Sequence, residues 1–101
     1  MRRRLVLEQA VTTTDGAGGV TYQWFELARI WGEMTPMGGR EHAEFGRIDA
    51  RLAYRIRIRH RADLRPEMRF RLGERLFDIE AAYDPDERGR FVDCLCRERA
   101  M

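Results

Sequence analysis

The chain has 101 residues, 44% of them hydrophobic, which supports one small core and disfavours a two-lobed enzyme with a cofactor cleft between domains. Charged residues make up 36%, yet 19 basic and 17 acidic side chains nearly cancel to a net charge of +2. Total charge therefore singles out neither nucleic acid nor a membrane as partner. All the basic residues are arginine, and serine is absent, which excludes a serine nucleophile.

The opening Met1-Arg2-Arg3-Arg4-Leu5-Val6-Leu7 begins like a secretory leader, but Glu8 and Gln9 interrupt the apolar run. No stretch approaches the ~18 apolar residues a membrane span needs. Alternation instead predicts a first strand over about Arg3 to Val11. Thr12 to Gly19, rich in turn formers, is expected to be an exposed hairpin loop. The aromatic segment Val20 to Ala28 fits a second strand, which Ala28 to Met34 continues or follows with a third. Gly32 is a candidate bulge, and Pro36, lacking an N–H, ends the ladder.

Residues 37–50 break the pattern, with two glycines before a polar run whose main apolar residues are Ala43, Phe45 and Ile48. A short helix near Arg40 to Phe45, or an extended loop, is expected around residues 38–50, mobile or ordered by a partner. Beyond it the alternation returns. Leu52, Tyr54, Ile56 and Ile58 fall on one face, with Arg51, Ala53, Arg55, Arg57, Arg59 and Arg61 on the other. Met68, Phe70 and Leu72, then Phe77, Ile79 and Ala81 after the Gly73-Glu74 reversal, continue the inward face. Asp84 to Gly89 is a turn, and Phe91 to Cys96 a last strand. Short strands separated by turns predict a mainly β protein, a small antiparallel barrel or sandwich, with residues 1–101 as a single domain.

Placed along the chain, the charges separate. Residues 51–75 carry +6, residues 32–50 carry −2, and residues 76–101 carry −3. If the strand at Arg69 pairs with that at Phe77, Arg69 and Arg71 face Asp78 and Glu80 in cross-strand pairs. Arg55, Arg57 and Arg59 find only Asp63 and Glu67 nearby, both in the following loop. With Arg61 they form a candidate subunit-interface face, with a solvated face or a nucleic-acid contact as the other readings. No aromatics are interleaved there to stack bases.

Little points to catalysis. His42 and His60 are far apart, without partners at metal-ligand spacing, and the Gly16-to-Gly19 run lacks the Lys-Ser/Thr of a phosphate loop. Cys94 and Cys96 are too close for an unstrained disulfide, and two ligands do not make a zinc site. They read as buried thiols of a soluble protein made in a reducing compartment. No enzymatic activity, cofactor or metal is expected.

The pieces also stand in a recognisable order. The basic first strand, Asp15-Gly16-Ala17-Gly18-Gly19 with Tyr22 and Trp24, and Ala28-Arg29-Ile30-Trp31-Gly32-Glu33-Met34-Thr35-Pro36 lead to Gly39-Arg40-Glu41. Tyr54-Arg55-Ile56-Arg57-Ile58-Arg59-His60-Arg61 and Leu64-Arg65-Pro66-Glu67-Met68-Arg69 come next. Gly73-Glu74-Arg75-Leu76-Phe77-Asp78-Ile79-Glu80 and Asp84-Pro85-Asp86-Glu87-Arg88 complete the series. Nearly end to end, this order resembles the head–tail joining proteins of tailed bacteriophages, the head-closure or stopper family, whether from phage, prophage or gene transfer agent. The resemblance implies a β-barrel that forms a homo-oligomeric ring in the virion neck, between the portal-bound adaptor and the tail terminator. It would close the channel after packaging and open for DNA ejection, with double-stranded DNA passing without sequence-specific binding. It also implies a lumenal gate over Gly38 to Ala50, with Gly38, Gly39, Arg40, Glu41, Glu44, Arg47 and Asp49 as candidate gate residues. The net negative charge there would let DNA slide. A nucleic-acid-binding small barrel and an adaptor-level or tail-side ring component are the alternatives.

Overall fold

The computed structural model describes residues 2–37 and 53–99. Six antiparallel strands form among them: β1 (Arg2–Thr14), β2 (Val20–Pro36), β3 (Ala53–Arg59), β4 (Arg69–Leu72), β5 (Arg75–Tyr83) and β6 (Phe91–Glu98). They close into a barrel in the order β1-β2-β3-β6-β5-β4, with β4 returning to β1. The short helix or loop expected around residues 38–50 lies outside the described residues.

Period-two alternation fills the barrel. Leu5 and Leu7, Met34, Ile56 and Ile58, Phe70, Phe77 and Ile79, and Val92, Cys94 and Cys96 point inward and are buried. A six-stranded barrel leaves an interior that side chains alone can fill. Met68 and Leu64, from the loop before β4, pack against the same core, and the Met68 carbonyl accepts the Ile79 N–H at 3.2 Å. Burial pushes the Cys94 thiol up to about 12, and Cys96 is raised well above the usual thiol range for the same reason. Both therefore act as small apolar residues.

Two irregularities shift the faces away from simple alternation. The β1–β2 register slips between Leu7 and Glu8, leaving Leu27 as the extra residue between Glu26 and Ala28 and letting it reach the core. A second slip between Ile79 and Ala81 makes Glu80 the extra residue on β5. Ala81 is consequently not on the inward face, as alternation predicts. It packs outside the barrel with Leu95, Ala53 and Met37, while Ala82 takes the inward place beside Cys94.

Gly32 is not a bulge. It stays in register with Arg3 and Ile58, and its missing side chain is what the packing requires. A Cβ there would lie 2.7 Å from Leu5 Cδ1 and 3.1 Å from Ile56 Cγ2, inside a filled core. The hairpins end on suitable residues: Gly73, at φ 62°, takes the first turn position between β4 and β5. Asp15 Oδ1 accepts the Ala17 and Gly19 N–H groups at 2.8 and 2.9 Å, which lets β1 run on to Thr14, past the expected end at Val11.

Replacing Gly32 with alanine forces Leu5 or the β3 isoleucines aside. The expected cost is about 1–3 kcal/mol, read as a fall in the denaturation midpoint at unchanged slope. An unchanged midpoint would show that the core has room there.

Candidate functional site

The outer surface is organised by ion pairs between strands that are distant in sequence. At its centre is Glu8, buried to 6% exposure on the outer face of β1. Glu8 sits directly opposite Arg69 and diagonal to Arg71 where β4 closes on β1. Arg69 Nε donates to Glu8 Oε1 at 2.7 Å, and Arg71 Nε to Oε2 at 2.9 Å. Trp24 of β2 covers the pair, with the Arg69 guanidinium 3.9 Å from its ring centroid and that of Arg99 at 5.8 Å. Burial alone would raise the Glu8 pKa, but the hydrogen bonds and charges of Arg71 and Arg69 outweigh it and hold the pKa below the ordinary 4.5.

This arrangement corrects the cross-strand pairing expected from sequence. Arg69 does stand opposite Asp78, but its side chain turns to Glu8, and Arg71 faces Leu76, not Glu80. Asp78 is held by Arg99 at 2.8 Å and Glu80 by Arg97 at 3.4 Å. Near one barrel end Arg75 makes two bonds to Glu98 and one to the Tyr54 hydroxyl. It lies 5.0 Å from the Phe77 ring centroid, against which Tyr54 packs edge-on.

The arginine series of β3 does not form one uniform face. Arg57 is bound by Asp93 of the neighbouring β6, at 2.6 and 3.0 Å, and that carboxylate is almost wholly buried. Its acid is thus not in the following loop, where sequence proximity placed it. Arg55 stands half-buried opposite Leu95. Arg61 lies beyond the end of β3, folded onto Asp63 by two bonds of 3.0 Å. Arg59 alone of the four is an exposed strand residue. The candidate gate residues Gly38, Gly39, Arg40, Glu41, Glu44, Arg47 and Asp49 lie outside the described residues.

Two surfaces stand apart from this ion-pair lattice. One is the outer half of the β1–β2 hairpin: Gln9–Thr14 and Val20–Phe25 pair only with each other among the described residues. Between Gln9 and Phe25 the sequence holds a single charge, Asp15, while Val11, Val20, Tyr22 and Phe25 are exposed, Tyr22 to 66%. The other is a row across β1, β2, β3 and β6. Arg4 pairs with Trp31 and Arg59 with Phe91, and continuing the β2–β3 register by one residue brings Arg59 beside Trp31. Neither surface was singled out by periodicity, which shows which side chains point outward but not which strands lie side by side. Among the described residues no three His, Cys, Asp or Glu side chains converge as a metal site. Nor is any helix there long and apolar enough to cross a membrane.

A filled barrel with its surface charges paired across strands is the frame of a structural module. The comparisons specify which. The family model described as phage head completion protein matches residues 1–99, and the chain belongs to that family, whose members are structural components of the phage head. A chain from the virion of a native gene transfer agent particle is 34% identical, with a TM-score of 0.76, covering 98% of this chain and 96% of that one. Protein SF1141 from Shigella flexneri 2a, solved in solution, is 25% identical with a TM-score of 0.76, over 96% and 91% of the two chains. No curated protein sequence gives a significant match.

Replacing Glu8 with alanine leaves Arg69 charged and enclosed, and is expected to cost about 3–5 kcal/mol. Because the folded Glu8 pKa is depressed, its contribution is present above pH 4.5 and lost as pH falls through the folded value. Stability measured against pH should therefore fall below that point in the native chain, and less steeply in the Glu8→Ala variant. Parallel curves would contradict the assignment.

Proposed function

We propose that this protein is a ring-forming neck subunit that sits between the portal-bound adaptor and the tail, closes the DNA channel after packaging and joins head to tail. The observation that carries the reading is end-to-end likeness, in sequence and fold together, to a chain of a gene transfer agent virion. Membership of the head completion family agrees with it.

The surface chemistry is consistent with assembly. Arginines that could have formed a continuous track for a nucleic-acid backbone are tied to carboxylates: Arg57 to Asp93, Arg69 and Arg71 to Glu8, Arg75 to Glu98. Such pairing lowers the free positive charge on which sequence-independent nucleic-acid affinity depends. This argues against the small nucleic-acid-binding barrel. The sparsely charged hairpin and the Arg4–Trp31–Arg59 row are the surfaces best suited to neighbours. In the ring, the acidic stretch holding Glu41, Glu44 and Asp49 would face the lumen, where negative charge repels the DNA backbone and lets it slide.

Particles from a strain lacking the gene should accumulate as heads that leak DNA, apart from finished tails, when counted by electron microscopy. Full, tailed particles in normal numbers would overturn the closure reading.

A further inference from the structure

Most arginines on the described surface end on a carboxylate, yet three that cluster at one corner do not. Arg2 and Arg4 on β1 and Arg59 on β3 form no ion pair among the described residues. The Arg2 and Arg4 guanidinium groups lie 5.6 and 5.9 Å from the ring centroid of Trp31. Trp31 is itself 54% exposed, although it is among the largest apolar side chains in the protein. Strand pairing gathers these groups on the outer face of β1, β2 and β3, where a groove of about 300 Å³ is lined by Arg2, Trp31, Glu33, Arg57, Arg59 and Phe91. Arg57 is already neutralised by Asp93, so among the described residues the uncompensated charge is that of Arg2, Arg4 and Arg59, opposed in the groove by Glu33.

We propose that this corner is a docking site for an acidic protein segment, one that brings carboxylates to Arg2, Arg4 and Arg59 and lays an apolar side chain on Trp31. Charge complementarity sets the sign of the partner: three cations without an ion-pair partner among the described residues attract anions and disfavour a basic surface. Trp31 sets the class. Arginine and tryptophan flanking a concave pocket are the residue types that anchor protein interfaces. A duplex backbone offers phosphates to the arginines but no unstacked base face to an exposed indole. The head–tail reading enters only in where such a partner would be found, namely a neighbouring virion protein.

The test uses the isolated full chain, so its failure is distinguishable from failure of the neck assignment, which the particle experiment decides. Poly-L-glutamate and a DNA duplex of about 20 base pairs are titrated at low salt, with isothermal titration calorimetry as the readout, which does not depend on Trp31. The expected result is binding of poly-L-glutamate, weakened about tenfold by Arg4→Glu or Arg59→Glu and also by Trp31→Ala. Arg65→Glu and Arg88→Glu change the net charge equally but lie elsewhere, and each should stay within about twofold of the native chain. Thermal melting of each variant checks the fold, and Trp31→Phe serves if Trp31→Ala melts early. Equal losses at all four arginines would overturn the site in favour of diffuse charge attraction. Tighter binding of the duplex through Arg4 and Arg59 would reassign it to a nucleic-acid backbone, and no binding of poly-L-glutamate would remove it.

Discussion

Closure of the barrel depends on one buried carboxylate. β4 is only four residues long and meets β1 over three residue pairs, Val6 with Arg71, Leu7 with Phe70 and Glu8 with Arg69. So short a seam has little ladder to hold it, and its inner side is Leu7 against Phe70, both fully buried. On its outer side, Glu8 binds two arginines of β4 at once, and Trp24 covers the guanidinium of Arg69. An apolar contact inside and a charge-assisted clamp outside thus secure the place where the sheet becomes a cylinder. A sheet left open there would expose two strand edges, which closure removes.

The same device recurs around the barrel. Arg57 with Asp93, Arg97 with Glu80, Arg99 with Asp78 and Arg75 with Glu98 each join groups brought together by strand pairing. Many of these pairs are half-exposed and individually worth little, up to about 1 kcal/mol. Their collective effect is on what the surface can bind. Charge spent within the molecule is not available to a passing polyanion, so the arginine content of the chain does not translate into an equally basic surface. The exceptions, the sparsely charged hairpin and the Trp31 corner, then become the informative places. Each departs from the chemistry of the surrounding surface in a way that folding of the isolated chain does not require.

The inward face could be read from the sequence wherever alternation is unbroken. Ile56 with Ile58, Phe70, Phe77 with Ile79, and Cys94 with Cys96 fall inside as period two demands. It failed at Ala81, because the bulge at Glu80 carries no glycine, proline or other residue that would mark it. Gly32 misled for the opposite reason. Its absent side chain answers a steric need set by Leu5 and Ile56, which lie 27 and 24 positions away in the chain. The Glu8 clamp was hidden likewise, since Glu8 and Arg69 are 61 residues apart and only the closed topology makes them neighbours. Family membership was legible because it rests on the order of many local motifs, none of which needs a long-range register to be recognised.

Amide hydrogen exchange at neutral pH, comparing the native chain with Glu8→Gln, tests most directly whether the carboxylate clamp closes the barrel. The amides of Val6 to Glu8 and Arg69 to Arg71 should lose protection by a larger factor than those of β3 and β6, which do not touch the seam. Seam protection that stays at the native level, or falls only by the factor seen in β3 and β6, would show that apolar packing alone closes the barrel.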